Sequence, residues 1–364
     1  MKNKIVNEKA SALIPPLLSV LIGILLGWLI LWFTDPKDAF AGIGTVLSGG
    51  FNEGIGGIGS VFYAAAPVIL TGLAVGFGMK TGLFNIGASG QFTAGALAAI
   101  FAGVRFTALP AGLHTLFAVL CGILAGALWG AVSGALKAYF RVNEVISGIM
   151  MNYIMMLFSN IVIKSFLYDE AYNRSLPVAP TAEISKDLLD FLLPGSHVSV
   201  IIFAALAAAV LVKLVMDRTV FGYELKTTGR NPYAAEAAGI NTKKCTALTL
   251  AIAGALAGLG GALMFLSDFG DHITVGETVL QQGYTGISVA LLGMSEPFGI
   301  VLAGLFIAYI TVGGSYLQLY GYTPDAVDMM VAVIIFCGAF VVPIRQFIRA
   351  KLRRLRHIPE EGRV

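Results

Sequence analysis

Residues 227–244 read "TTGRNPYAAEAAGINTKK", a polar, charged stretch in a chain of 364 residues of which 57% are hydrophobic and only 12% charged. Asn231 suits an N-cap, Pro232 the first helical position and Gly239 the C-terminal stop, so the spacing predicts a helix of about two turns. An isolated helix is marginal in water below about 12 to 15 residues, so this one requires a surface to dock on. Tyr233, Ala237 and Ile240 share one face at helical spacing, flanked by Arg230, Lys243 and Lys244. These residues leave two surfaces open: the chain's own bundle, or a groove in a cytoplasmic partner whose motion the helix would carry into the membrane.

Working outward, apolar runs recur at 12–33, 60–79, 82–103, 111–136, 145–163, 198–215, 245–267, 283–294, 298–317 and 326–342. Most have the length of about 17 to 25 residues that a helix needs to cross a bilayer, and lipid leaves no other way to satisfy the backbone of such segments. The expected fold is an all-α membrane protein of about ten transmembrane helices. Basic residues fall before the first run, at Lys80, at Lys137 and Arg141, across 218–244 and in 345–356, while acidic or mixed stretches fall at 35–53, 169–190 and 268–277. The positive-inside rule then places the stretch at 227–244 and both termini in the cytoplasm, with the short turn at Arg105 against the trend. Residues 1–11 read as a cytoplasmic N-terminus, 12–344 as the transmembrane domain with 217–244 as its cytoplasmic loop, and 345–364 as a basic tail. The first run is longer than a signal-peptide core of about 7 to 15 residues, so it reads as a retained span.

Five runs precede the loop at 169–190 and five follow it, which makes the two halves inverted with respect to the membrane. "GLFNIG" (82–87) opens the third member of one half and "GYTGIS" (283–288) the third member of the other. Gly-interrupted segments at matching positions point to a binding site between repeats. The run at 283–294 is too short to cross alone at 1.5 Å per residue, so it tilts, borrows neighbours or re-enters. Gly122, Gly126, Gly130 and Gly134 form a smooth ridge for close helix packing, and Gly254 with Gly258 a smaller one.

Several classes are excluded. Ionisable residues near the bilayer centre are nearly lacking, and Glu144, Glu296, Asp325 and Asp328 read as helix-terminus residues, which argues against an ion-coupled carrier. The nearest approach to a phosphate-cradling loop, "GFGMKTG" (76–82), has Met79 where a glycine belongs, and "LSGG" (47–50) stands alone on the extracytoplasmic side. His114, His197, His272 and His357 are scattered without a catalytic or metal pattern. Cys121, Cys245 and Cys337 are far apart and read as packing residues. The net charge of +3 gives no nucleic-acid surface.

Residues 229–240, "GRNPYAAEAAGI", fill every position of Gly-x-Asn-x-x-Ala-Ala-x-x-Ala-Gly-Ile and strongly resemble the coupling helix of permease subunits of bacterial ABC importers. "GLFNIGASGQ" (82–91), "NEVISGIMMNYI" (143–154) and "GYTGISVALLG" (283–293) are similar to motifs of the nucleoside and simple-sugar branch of the branched-chain amino acid/ribose-type permeases. Ser89 departs from that branch, which usually has an acidic residue there. The resemblance implies a non-enzymatic permease of the bacterial cytoplasmic membrane that pairs with a second homologous permease and a lipoprotein of the basic-membrane-protein type. ATP and Mg would lie on a separate ABC ATPase, with no cofactor on this chain. It implies an ATPase contact at Gly229, Arg230, Asn231, Pro232, Tyr233, Ala235, Glu236 and Gly239, and a nucleoside cargo, with ribose or another simple sugar as the alternative. A neutral polar cargo wants amides, hydroxyls and aromatic faces, which Phe84, Asn85, Gln91, Asn152, Tyr153, Gln282, Tyr284 and Ser288 supply. Each also has a plain reading as an interhelical hydrogen bond worth about 0.6 kcal/mol.

Overall fold

The computed structural model describes residues 2–184, 200–267 and 272–338, together with 340, 341, 343, 344, 346 and 347. His197, His357 and nearly all of the expected basic tail lie outside the described residues. The chain divides into two compact units, residues 1–47 with 314–364 and residues 48–313.

In the first unit, α1 (Lys2–Thr34) continues through Pro15 and Pro16 and includes most of the stretch read as a separate N-terminus. It packs on α13 (Pro324–Gly338) through its small residues: a Cβ on Gly23 would lie 3.1 Å from Cys337 Cβ, and one on Gly27 3.0 Å from Met330. The Ser19 hydroxyl donates to the Cys337 carbonyl, and the Tyr322 hydroxyl to that of Asp35 at 3.1 Å. The helix α2 (Ala39–Ser48) closes the N-terminal part of this unit.

The second unit holds α3 (Ile55–Lys80), α4 (Ala88–Arg105), α5 (Leu113–Phe140), α6 (Glu144–Val162), α7 (Ile201–Arg218), α8 (Val220–Arg230), α9 (Pro232–Ala237), α10 (Thr242–Phe265), α11 (Gln282–Leu292) and α12 (Pro297–Ser315). The glycine ridge of α5 is used as its four-residue spacing predicts. A Cβ on Gly126 would lie 2.3 Å from the Gly254 carbonyl oxygen, one on Gly130 2.1 Å from that of Leu250, and one on Gly95 of α4 2.3 Å from Gly258. Backbone thus touches backbone along α4, α5 and α10, where any side chain would force the helices apart.

Among the described residues six helical segments are long and apolar enough to cross a membrane: Ile14–Thr34, Gly56–Lys80, Leu113–Phe140, Glu144–Leu167, Thr242–Phe265 and Pro297–Tyr320. The other four expected runs differ for local reasons. That at 82–103 becomes helical only at Ala88, because 82–87 is a turn. That at 198–215 gives α7, whose last turns carry Lys213, Asp217 and Arg218. α11 and α13 have 11 and 15 residues, and the former spans only about 16 Å.

The loop after α6 contains a small β-hairpin that the all-helical expectation omits. Tyr168–Asp169 pairs with Arg174–Ser175 in antiparallel register. Its second arm is tied to the segment before α11: Ser175 N donates to Ile273 O at 2.9 Å and Val275 N to Asn173 O at 3.0 Å. Asn160 of α6 closes the ladder, donating to Gly276 O at 2.7 Å and accepting from its amide.

Replacing Gly130 with valine should destabilise the detergent-solubilised protein by about 1–3 kcal/mol, the usual range for overpacking, whereas Gly44→Ala, which meets open space, should leave the thermal midpoint unchanged.

Candidate functional site

The interruption between α3 and α4 builds the site. Gly78 O accepts from Thr81 N and Leu83 N, both at 2.9 Å, so α3 ends in a tight turn. Gly82 then takes φ +76°, a left-handed conformation that glycine adopts without steric penalty. The chain re-enters helix at Ala88.

Asn152, midway along α6, supplies what the broken helix lacks. Its side-chain oxygen accepts from Gly90 N at 2.7 Å, and its amide nitrogen donates to Ile86 O at 3.0 Å and to the Tyr284 hydroxyl at 3.3 Å. Gly90 makes room for this, since a Cβ there would lie 2.9 Å from the Asn152 oxygen, and a Cβ on Gly148 would lie 2.8 Å from Gly87 N. Asn85 and Gln91 form a reciprocal amide pair, 2.8 Å and 3.1 Å, and both are buried.

The two Gly-rich segments meet at this point. A Cβ on Gly283 would lie 2.3 Å from Ser89 Cα, and the Ser89 hydroxyl donates to Leu280 O. Thr71 of α3 donates to Gln282 O at 3.0 Å, and Gly286 packs on the same threonine. Of the eight residues picked out for a path, Asn152 and Tyr284 are hydrogen-bonded to each other, Asn85 and Gln91 pair with each other in the segment that Asn152 holds, and the Gln282 backbone is bonded to Thr71. The Gln282 side-chain oxygen is buried with no hydrogen-bond partner among the described residues, a condition that costs ~1–3 kcal/mol unless something donates to it. Phe84 and Ser288 are half-buried, and Tyr284 is 37% exposed. Tyr153 stands apart: it is half exposed and follows Asn152 by one residue, about 100° around α6. Thr71, Gly90 and Gly148 carry as much of this geometry as the residues singled out; the two glycines lie within the motifs at 82–91 and 143–154, whereas nothing in its local sequence distinguishes Thr71 from ordinary packing.

The loop at 217–244 forms α8, α9 and the start of α10. The Asn231 side chain accepts from Tyr233 N and Ala234 N, both at 3.1 Å, and Pro232 occupies the first helical position. At the other end Gly239, at φ +83°, donates to Glu236 O at 2.9 Å while Ile240 N donates to Ala235 O at 3.0 Å, a Schellman stop. Both cap expectations hold. Of the two docking surfaces, the chain itself takes Ala235, which is buried, and not the face read in the sequence, on which Ala237 is exposed and Tyr233 is 84% exposed. The helix is only six residues long, so its one inward position lies where the loop meets the chain, and the side with Tyr233 stays uncovered. Glu236 accepts from the Thr242 hydroxyl at 2.5 Å. A cavity of about 480 Å³ lies beside it, lined by Gly82, Arg141, Gly229, Tyr233, Glu236 and Lys243 among others. Lys137 and Glu144, paired at 2.7 Å, form part of its wall.

Among the described residues no three histidine, cysteine or acidic side chains are placed to hold a metal ion. His114 uses both ring nitrogens structurally, 2.9 Å from Thr181 Oγ1 and 3.0 Å from Ala102 O.

Residues 57–339 match the family described as branched-chain amino acid transport system / permease component. The chain is 34% identical over 348 residues to the guanosine ABC transporter permease protein NupP of Bacillus subtilis, covering 95% of this chain and 98% of that one. It is 32% identical to the nucleoside ABC transporter permease protein NupB of Lactococcus lactis, over 91% of each chain. It is 31% identical to the glucose ABC transporter permease protein TsgB13 of Haloferax volcanii, over 88% of this chain and 85% of that one. No solved structure matches the chain.

Asn152→Ala should lower stability by ~1–3 kcal/mol, because it strands the buried Gly90 amide. Tyr153→Ala, which removes an exposed ring, should shift the thermal midpoint far less, and equal shifts in the two variants would contradict the assigned geometry.

Proposed function

Because the chain belongs to the branched-chain amino acid transport system permease family, we propose that it is the membrane-embedded permease subunit of an ABC importer whose cargo is a nucleoside. The observation that carries this reading is the match, end to end, to the permease named for guanosine. A neutral polar site of amides and hydroxyls suits that cargo, since hydrogen bonds and ring faces, not charges, discriminate a nucleoside. The glucose permease from Haloferax volcanii supports a second reading, a simple sugar, on the same scaffold.

The chain is a multi-pass integral membrane protein and a transport subunit, not an enzyme. In the arrangement proposed, about ten crossings form two inverted halves with both termini in the cytoplasm. ATP and Mg act on a partner ATPase, a second homologous permease completes the path, and a lipoprotein outside delivers the cargo. Closure of the ATPases displaces α9, and the bundle rocks so that the neighbourhood of Asn152 and Tyr284 faces each side in turn. Ligand and nucleotide need only bind the alternating states with different affinities.

Uptake of labelled guanosine by cells with and without this gene tests the cargo, with ribose, unlabelled nucleosides and free bases as competitors. Loss of an uptake that only nucleosides compete for is the expected result. Competition by hexoses or ribose instead would establish the sugar reading. Glu236→Lys or Ala235→Pro should abolish uptake by more than about tenfold while ATP hydrolysis continues, the signature of a broken coupling element.

A further inference from the structure

Two contacts lead from α8 into the site, one to each Gly-rich segment. The first is steric. A Cβ on Gly229 would lie 2.4 Å from the Thr81 carbonyl carbon and 2.7 Å from Gly82 N, so the end of α8 rests directly on the turn that opens residues 82–91. The second is ionic. Lys226 of α8 lies 3.4 Å from Asp217, Asp217 lies 2.6 Å from Lys213, Lys213 lies 3.3 Å from Glu296, and Glu296 lies 2.7 Å from Lys80 at the end of α3. Glu296 ends the turn that follows α11. Burial alone would raise its carboxyl pKa, yet Lys80 and Lys213 together hold it below the ordinary range, so it stays charged.

That turn is unusually constrained. Met294 and Ser295 take consecutive left-handed conformations, φ +53° and +56°, which non-glycine residues rarely adopt. Ser295 N donates to Ala290 O at 2.7 Å, and a Cβ on Gly293 would lie 2.5 Å from Ile300 N. The eleven residues of α11 run from this turn back to Gln282 and Tyr284, so displacing the turn displaces both side chains.

We infer that α8 is the lever of the coupling loop, and that Gly229 and Glu296 are positioning residues through which it sets residues 82–91 and α11 at once. The inference rests on the permease reading proposed above. Exposed ion pairs of this kind are individually weak, so a chain of them can break and re-form at each transport cycle, whereas the glycine contact transmits displacement by hard contact. The Lys80, Glu296 and Lys213 cluster differs from ordinary structural ion pairing because Lys226, which does not touch Glu296, belongs to the same sequence of contacts.

The test uses the complete importer in proteoliposomes, with guanosine as probe, measuring uptake and ATP hydrolysis side by side. Glu296→Gln should cut uptake about tenfold with hydrolysis retained, Glu296→Asp should restore most of it, and Lys226→Met should reproduce the Gln variant's loss. Normal uptake in Glu296→Gln or in Lys226→Met overturns the inference, as does a parallel fall of uptake and hydrolysis without recovery in the Asp variant. If the unaltered complex carries no guanosine on ATP addition, it is the cargo or the permease reading that fails, a result separate from either.

Discussion

Buried backbone at the start of a helix must hand its donors and acceptors to something other than water. In this chain that burden falls largely on one side chain. Asn152 serves the amide of Gly90 and the carbonyl of Ile86, on either side of the point where α4 begins, and its remaining donor reaches Tyr284 on the other Gly-rich segment. The interruption at 82–87, the glycines that let α6 come close and the meeting of Ser89 with Gly283 all presuppose that satisfaction.

Close packing elsewhere makes the interruption affordable. Where α4, α5 and α10 approach backbone to backbone, dispersion contacts are dense and no polar group is needed to hold the helices. The ionic contacts lie at helix ends and in a turn, half exposed, where each contributes ~0.2–1 kcal/mol. Strong and weak contacts are thus segregated: glycine ridges hold one part of the bundle, while weak pairs span the elements that connect to the loop at 217–244.

Much of the loop at 217–244 was legible in the sequence, because caps act through neighbouring residues. Asn231, Pro232 and Gly239 each determine their own backbone geometry or that of residues two or three away, and all three do what local chemistry predicts. The α5 ridge was legible for the same reason, a fixed period on one helix. The site was only partly so. The glycines at 82–87 and 283–288 signalled interruption at matching places, but the first segment proved to be a turn and the second a short helix. That Asn152 reaches both, that Ala235 turns inward and Tyr233 outward, and that Glu296 lies between two lysines from α3 and α7 all depend on partners more than 60 positions away or on tertiary packing. Glu296 read as a helix-end residue is true of its place in the chain, yet that reading contains nothing about Lys80 or Lys213.

The six-residue helix at 232–237 is finished at both ends by its own chain. Its shape exists before any encounter, so a protein that receives it spends little conformational entropy on ordering it. Association can then proceed by collision of two prepared surfaces, with orientation and charge setting its speed in place of a folding step. In the coupling role proposed for it, a short element that would melt alone would in this way be fit for rapid, repeated engagement.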